Sequence, residues 1–354
     1  MKIAVTADVH LVPGDTEHPE RLAALGNVLE QLTGLGIQHL VIAGDLFDRD
    51  LQAYTEFETL LGQFPSIQIE IIPGNHDPSL APDHLLASNV TVYDQPTLID
   101  HDGRQLLFVP FAPATRMGEV IERFRDELEP GRWILVGHGN YGGGLSTPHP
   151  HEPGVYMPLS RRDIDHSEPA LVLLGHVHIP TNQAPVHYPG SPCGLDISET
   201  GRRQFLVLDT HNASVAPQPI QTDVIFLEER FVVLPADGEP QRLLEEIQRR
   251  QQAWDIPADM LDRVTVRIAA AGFCNSPTAI RDVLVEGFAD FTCYDDGPQL
   301  DGLKVDPHPQ LIELASRVRE QIQQVDWDWG DREPQEQDAL LEALAIVYAT
   351  ESVS

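Results

Sequence analysis

Five times in its first half, this 354-residue chain runs an apolar stretch straight into a short group of Asp, Asn or His residues. The groups are Asp8-Val9-His10, Gly44-Asp45-Leu46-Phe47-Asp48, Gly74-Asn75-His76-Asp77, Gly137-His138-Gly139 and Gly175-His176-Val177-His178. Two of the stretches before them, Leu40-Val41-Ile42-Ala43 and Leu171-Val172-Leu173-Leu174, are short and apolar on every residue, the pattern of strands buried on both faces. Amphipathic segments lie between them. One runs from Pro19 to about Leu32 with Leu22, Leu25, Leu29 and Leu32 on one stripe, and another spans about 117–128. Further strands are predicted at Leu106–Phe111, Val186–Tyr188 and Phe205–Leu208. Strand, polar loop, helix, strand is the rhythm of an α/β domain. Functional groups in such sheets gather at the carboxyl ends of the strands, so the five endings are expected to meet.

Any one of these groups is a weak signal, because a Gly-Asn-His-Asp turn or a buried histidine needs no ligand. Together they supply oxygen and imidazole donors without a thiolate, a set that suits Mn, Fe or Zn. Glycine beside the donors lets the backbone turn sharply at the strand end. The cysteines, Cys193, Cys274 and Cys293, are too scattered for a disulfide framework or a thiolate cluster.

Charge constrains the partner. Asp and Glu total 55 against 23 Lys and Arg, a net charge of −32, and only Lys2 and Lys304 are lysines. A polyanion is bound through clustered positive charge, so a nucleic acid would have to be met by the few arginines. The candidates are Arg49, for substrate binding, and the pairs Arg161-Arg162 and Arg202-Arg203, although ordinary surface charge pairs are commoner. His149 and His151 read as plain loop residues, and His18 before Pro19 as part of a helix entry. No apolar run reaches the length of a membrane span, and Met1–Asp8 does not resemble a signal peptide; a cytoplasmic location is expected.

After about residue 220 the pattern changes. Val224–Leu234 reads as extended, 239–254 as a helix, and Val264, Val266 and Ile268 alternate as a half-buried strand. Ser276-Pro277 has the form of a helix start. Asp295–Pro309, rich in Gly, Pro and Asp, reads as a linker. Two amphipathic helices are expected beyond it, with stripes Leu311, Leu314, Val318, Ile322, Val325 and Leu340, Leu341, Leu344, Val347, Tyr348. These stripes could dock on a partner or fold back on the segment before them.

The five groups, in this order, resemble the calcineurin-like metallophosphoesterase superfamily. The resemblance implies an α/β fold of two facing sheets flanked by helices, with two metal ions at the strand ends. Carried over by motif, Asp8, His10, Asp45 and His178 would hold one metal, and Asp45, Asn75, His138 and His176 the other. His76 would face the leaving group, with Asp77 orienting its ring. The metals implied are a divalent pair, Mn first, with Fe or Zn as alternatives.

Within the superfamily the chain is most similar to SbcD-type DNA nucleases. The similarity rests on Leu46-Phe47 in the second group, on Asp77 closing the third, and on Pro189-Gly190-Ser191-Pro192 followed by Gly194-Leu195-Asp196-Ile197-Ser198-Glu199. It implies a phosphoesterase domain over 1–220, a small α+β capping domain over 221–296, and an acidic linker with a helical tail over 297–354. It also implies DNA as substrate, exonuclease or endonuclease action in an SbcCD-like DNA-repair complex, and a coiled-coil ATPase of the SbcC type as partner; a homodimer is left open. The chain has no phosphate-binding Gly-X4-Gly-Lys-Ser/Thr loop of its own. Two other readings remain. One is a phosphodiesterase or phosphatase acting on small molecules or nucleotides, which the acidic composition favours. The other is a silent scaffold, which the full set of ligand-type residues argues against.

Overall fold

A computed structural model describes residues 1–13, 18–142, 154–235, 238–305, 311–327 and 335–349. His149 and His151 lie outside them. The chain divides into two compact units, Met1–Leu195 with Arg202–Val224, and Asp196–Gly201 with Ile225–Ser354.

The first unit follows the strand–helix rhythm of its sequence. Its elements are β1 (Lys2–Thr6), α1 (Pro19–Leu35), β2 (His39–Ala43), α2 (Tyr54–Leu61), β3 (Gln68–Ile72), β4 (Val90–Val92), β5 (Thr97–His101), β6 (Arg104–Val109), α3 (Met117–Arg123), β7 (Trp133–His138), α4 (Arg161–Ser167), β8 (Leu171–Gly175), β9 (Thr181–Gln183), β10 (Val186–Tyr188), β11 (Gln204–Asp209) and β12 (Ser214–Pro219). They build two six-stranded mixed sheets, ordered β12-β11-β1-β2-β3-β4 and β5-β6-β7-β8-β10-β9. In the first, β1 to β4 pair in parallel; in the second, β6, β7, β8 and β10 do.

Strand alternation explains the layers. Ile3, Val5, Val41 and Ile72 of the first sheet meet Leu106, Phe108, Ile134, Val136 and Leu173 of the second in one core. The intervening residues turn outward. Ala4, Leu40, Ile42, Ile69 and Ile71 pack under α1 and α2, while Leu107, Val109, Leu135, Val172 and Leu174 pack under α3 and α4. Each large side chain buried this way contributes about 1.5–3 kcal/mol. Helix α1 ends where Gly36 takes φ 67° and Ile37 N–H returns to Leu32 O at 2.9 Å. Its buried face holds Leu25, Leu29 and Leu32 as expected, together with Arg21, which the leucine stripe did not announce.

The second unit starts from β13 (Ile225–Val233), α5 (Glu239–Ala253), β14 (Val264–Cys274), α6 (Pro277–Gly287), β15 (Thr292–Cys293) and β16 (Gln299–Val305). All the pairings of β14, with β13, β15 and β16, are parallel. Along β14 buried and half-buried residues alternate throughout, and Ser276 Oγ caps α6 by accepting from Ala279 N–H. Residues 299–305, expected to be linker, are strand β16. Its apolar residues Leu300 and Leu303 both pack on the unit's core although they stand three apart, because the register shifts between Ala269 and Ala271 of β14 and breaks the two-residue period. Helices α7 (Ile312–Gln323) and α8 (Glu336–Ala349) cover the other face of the sheet. Leu344 is fully buried with Val232, Ala315 and Leu340, and Tyr348 stacks on Phe273 at 3.9 Å between ring centroids. The helical tail thus folds back on its own sheet. Among the described residues no helix is long and apolar enough to cross a membrane.

Candidate metal centre

Parallel register aligns the carboxyl ends of β1, β2, β3, β7 and β8, with Ala43 opposite Ile72 and His138 opposite Gly175. The loops leaving β1 and β2 are laced together by the backbone: Asp8 N–H donates to Gly44 O and His10 N–H to Asp45 O, both at 3.0 Å. Asp8, His10 and Asp45 all take left-handed φ values, 54°, 51° and 51°.

The two carboxylates are used alike. Asp8 Oδ1 accepts from His176 N–H and Asp45 Oδ1 from His76 N–H, each at 2.8 Å. The second oxygen of each, Asp8 Oδ2 and Asp45 Oδ2, is buried and has no hydrogen-bond partner of regular geometry among the described residues. A buried carboxylate oxygen left this way is costly unless a cation meets it. Two donor sets surround these oxygens. Asp8, His10 and His178 bring ligand atoms within 4.8 Å of one another, and so do Asp45, His138 and His176. Asp45 Oδ2 lies 3.2 Å from His138 Nε2 and 3.7 Å from His10 Nε2, so one oxygen borders both sets. Asn75 Oδ1 joins the second set, 2.9 Å from His138 Nε2 and 3.0 Å from His176 Nδ1. His138 Nδ1 donates to Ala43 O at 2.9 Å, which turns Nε2 inward. The donor chemistry and the orphaned oxygens fit a pair of divalent cations.

The electrostatics of the ion-free cluster agree. Burial pushes the Asp8 carboxyl up, and the neighbouring histidines only partly restore it. Burial also opposes the Asp45 charge, but His138, His10 and His76 around it hold its carboxyl well below the usual range. His138, whose charge burial opposes, is raised to about 10, chiefly by Asp45. Protonation and cation binding would therefore compete at this cluster.

Asp77 does not do what was expected of it. Both its oxygens accept backbone N–H groups, Gly74 at 2.7 Å and Phe47 at 3.1 Å, and it is fully buried. The ring of His76 is held instead by Asp48, whose carbonyl accepts from His76 Nδ1 at 3.1 Å. Asp48 also reaches His10: its Oδ1 lies 3.5 Å from His10 Nδ1, and that contact is the main cause holding the Asp48 carboxyl below its usual range. Arg21 completes the support, donating to His10 O at 2.8 Å and lying 3.5 Å from Asp48 Oδ1. The sequence placed Asp48 in the second group without a role, and nothing in it singled out Arg21. The one available signal was the second carboxylate in Asp45-Leu46-Phe47-Asp48.

The arginines divide. Arg49 is largely exposed, with its Nε 3.8 Å from Asp48 Oδ2. Arg161 is exposed beside Asp165. Arg203 is buried and structural. It donates from Nε to Ser191 O at 2.9 Å, from Nη2 to Ser191 Oγ at 2.8 Å, and to His178 O, so it ties the Pro-Gly-Ser segment to a ligand-bearing loop. His18 stands at the N-cap of α1, its ring 2.9 Å from Glu20.

Comparison with known proteins places this geometry. Exonuclease subunit 1 of Enterobacteria phage T4 is 29% identical over 234 residues, which is 59% of this chain and 65% of that protein. This chain thus spans just under two thirds of its relative's length. A solved structure of an archaeal phosphodiesterase aligns over 62% of this chain and all of its own at 16% identity, with a TM-score of 0.34, and the assignment does not rest on it. The sequence profile for calcineurin-like phosphoesterases matches residues 1–180, which carry every one of the donors above. The chain belongs to the calcineurin-like phosphoesterase family, metal-dependent hydrolases with a dinuclear centre.

Proposed function

We propose that the chain is a phosphodiester hydrolase whose substrate is DNA, acting as the nuclease subunit of an SbcCD-like assembly. The observation that carries the reading is the shared oxygen: Asp45 Oδ2 borders both donor sets, as a two-metal clamp on one phosphate requires. Asp8, His10, Asp45 and His178 are assigned to one cation, and Asp45, Asn75, His138 and His176 to the other. Manganese is the preferred metal, by the hardness of this oxygen and imidazole set. Bound there, a divalent pair supplies charge to the phosphoryl oxygens and acidifies the attacking water.

The chain's own residues do the rest. Asp48 O fixes His76 through Nδ1, and Nε2 is the nitrogen assigned to the departing oxygen. Asp48 and Arg21 keep the His10 ring and backbone in place. The preference for DNA is drawn from the similarity to an exonuclease subunit. A coiled-coil ATPase partner belongs to the same reading; Leu314, Val325 and Ile346, exposed in and beside the C-terminal helices, are the apolar residues it would meet.

A second reading keeps the chemistry and changes the substrate to a small phosphodiester. It is favoured by the fate of the arginines: Arg21 and Arg203 are buried in structural bonds, which leaves little cation near the centre for a polyanion. Digestion of linear single- and double-stranded DNA with Mn, beside an activated small phosphodiester, separates the two. DNA cleavage abolished by Asp8→Ala and His76→Ala is the expected result. Turnover of the small ester with DNA left intact would replace the first reading by the second.

A further inference from the structure

A second set of ligand-type side chains closes the opposite end of the inter-sheet core. His39 opens β2, whereas Asp45 follows its far end; Glu70 lies within β3, and His101 closes β5. Alternation puts all three on the inner faces, since Val41, Ile72 and Ile99, each two residues away, belong to the core between the sheets. One ligand atom from each of His39, Glu70 and His101 lies within 4.8 Å of the others.

The details exceed those of a chance ion pair. Glu70 is only 6% exposed in a core otherwise built of apolar residues. Its Oε1 and Oε2 lie 3.1 and 3.0 Å from His101 Nε2, and the hydrogen bond is to Oε1. Tyr93 donates its hydroxyl to Oε1 at 2.7 Å and so fixes the carboxylate from the side. His39 Nδ1 is buried and makes no hydrogen bond among the described residues. Two imidazoles, one carboxylate and an outer hydroxyl that orients the carboxylate are the parts of a three-ligand transition-metal site.

We propose that His39, Glu70 and His101 form a metal site separate from the strand-end centre, which takes a borderline divalent cation of the zinc class and ties β2 and β3 of one sheet to β5 of the other. Glu70 Oε2 is the ligand oxygen, because it makes no hydrogen bond among the described residues, whereas Oε1 accepts from Tyr93 and from His101 Nε2. Ligation would draw His101 Nε2 away from its hydrogen bond to Oε1. Burial favours neutral His39, the form that ligates, against the pull of Glu70. His39 and His101 are only partly buried, so a cation has a way in.

The test uses the full chain with Asp8→Asn and Asp45→Asn, which disable the strand-end centre. Zinc content after gel filtration is expected to be about one equivalent. Zinc should raise the melting temperature, and cobalt in its place should show the visible bands of a tetrahedral site. Adding Glu70→Gln, which keeps an oxygen for Tyr93, or His101→Gln should remove the equivalent and the bands together. No zinc retained before these changes, or retention indifferent to both, overturns the proposal. If either added variant fails to fold by circular dichroism, the cobalt spectrum of the chain intact at 39, 70 and 101 gives the answer, and absence of tetrahedral bands overturns the site.

Discussion

Asp77 offers the sharpest test of how the centre is held, because its two readings predict opposite things. In the structure it is a clasp, accepting Gly74 N–H at 2.7 Å and Phe47 N–H at 3.1 Å, and so joining the loop after β3 to the loop after β2. Asp77→Ala strands two buried N–H groups, each at about 1–3 kcal/mol, for a total of about 2–6 kcal/mol. Asp77→Asn strands one and should cost about half as much. It also removes a carboxyl that burial and the Asp45 charge push up to about 7, which offsets part of the loss. At about 2–4 °C per kcal/mol for a unit of this size, the alanine variant should melt roughly 4–24 °C below the parent, with asparagine between them. The assay is thermal unfolding of the chelated chain by circular dichroism, beside turnover of a small phosphodiester well below the transition. An orienting carboxylate would behave otherwise: the melting curve would hardly move while turnover fell by about 10²–10⁴. A normal melting curve with that loss of turnover in Asp77→Asn would refute the clasp.

Asp48→Ala removes the carboxylate beside His10 Nδ1 but keeps the carbonyl that holds His76. It is expected to weaken metal binding by about 10–100-fold, with turnover restored at saturating Mn in a metal titration. Gly74→Ala would drive its Cβ into Asp45 Oδ1 and the Asp45 backbone N; calorimetric Mn titration should show the strand-end sites lost, in a chain whose circular dichroism still reports the sheets. Leu344→Ala in α8 should destabilise the second unit by about 2–5 kcal/mol, measured by urea unfolding, and raise hydrogen exchange across Glu336–Ala349; unchanged exchange would mean that α8 is not held by this core.

Legibility in the sequence followed locality. The strand endings could be read because each ligand sits at a fixed step from its own apolar run, and parallel pairing brings such steps together wherever the strands lie in the order. His138 needs only the knowledge that it closes β7. Asp48 and Arg21 escaped because their partners, the ring of His10 and its carbonyl, are specified by how two loops cross. Arg203 looked like surface charge because adjacent arginines usually are, and only the tertiary fold supplies Ser191 and His178 O to bury it. His39, Glu70 and His101 share no spacing at all; three strands from two sheets make them neighbours. Strand β16 was hidden by the register shift that destroys its alternation.

The left-handed backbone at Asp8, His10 and Asp45 has a consequence for how this chain tolerates change. A side chain held at such φ costs about 1–3 kcal/mol, and glycine there costs almost nothing. Replacing Asp8 or Asp45 by glycine would relax the backbone, but it would also strand the buried N–H of His176 or His76 that the carboxylate now accepts, at about 1–3 kcal/mol. In the ion-free state the two effects oppose, so variants that have lost their chemistry should melt close to the parent. Any screen for thermal endurance alone would therefore be blind to silent descendants of this protein, and only a screen for turnover would keep its ligands.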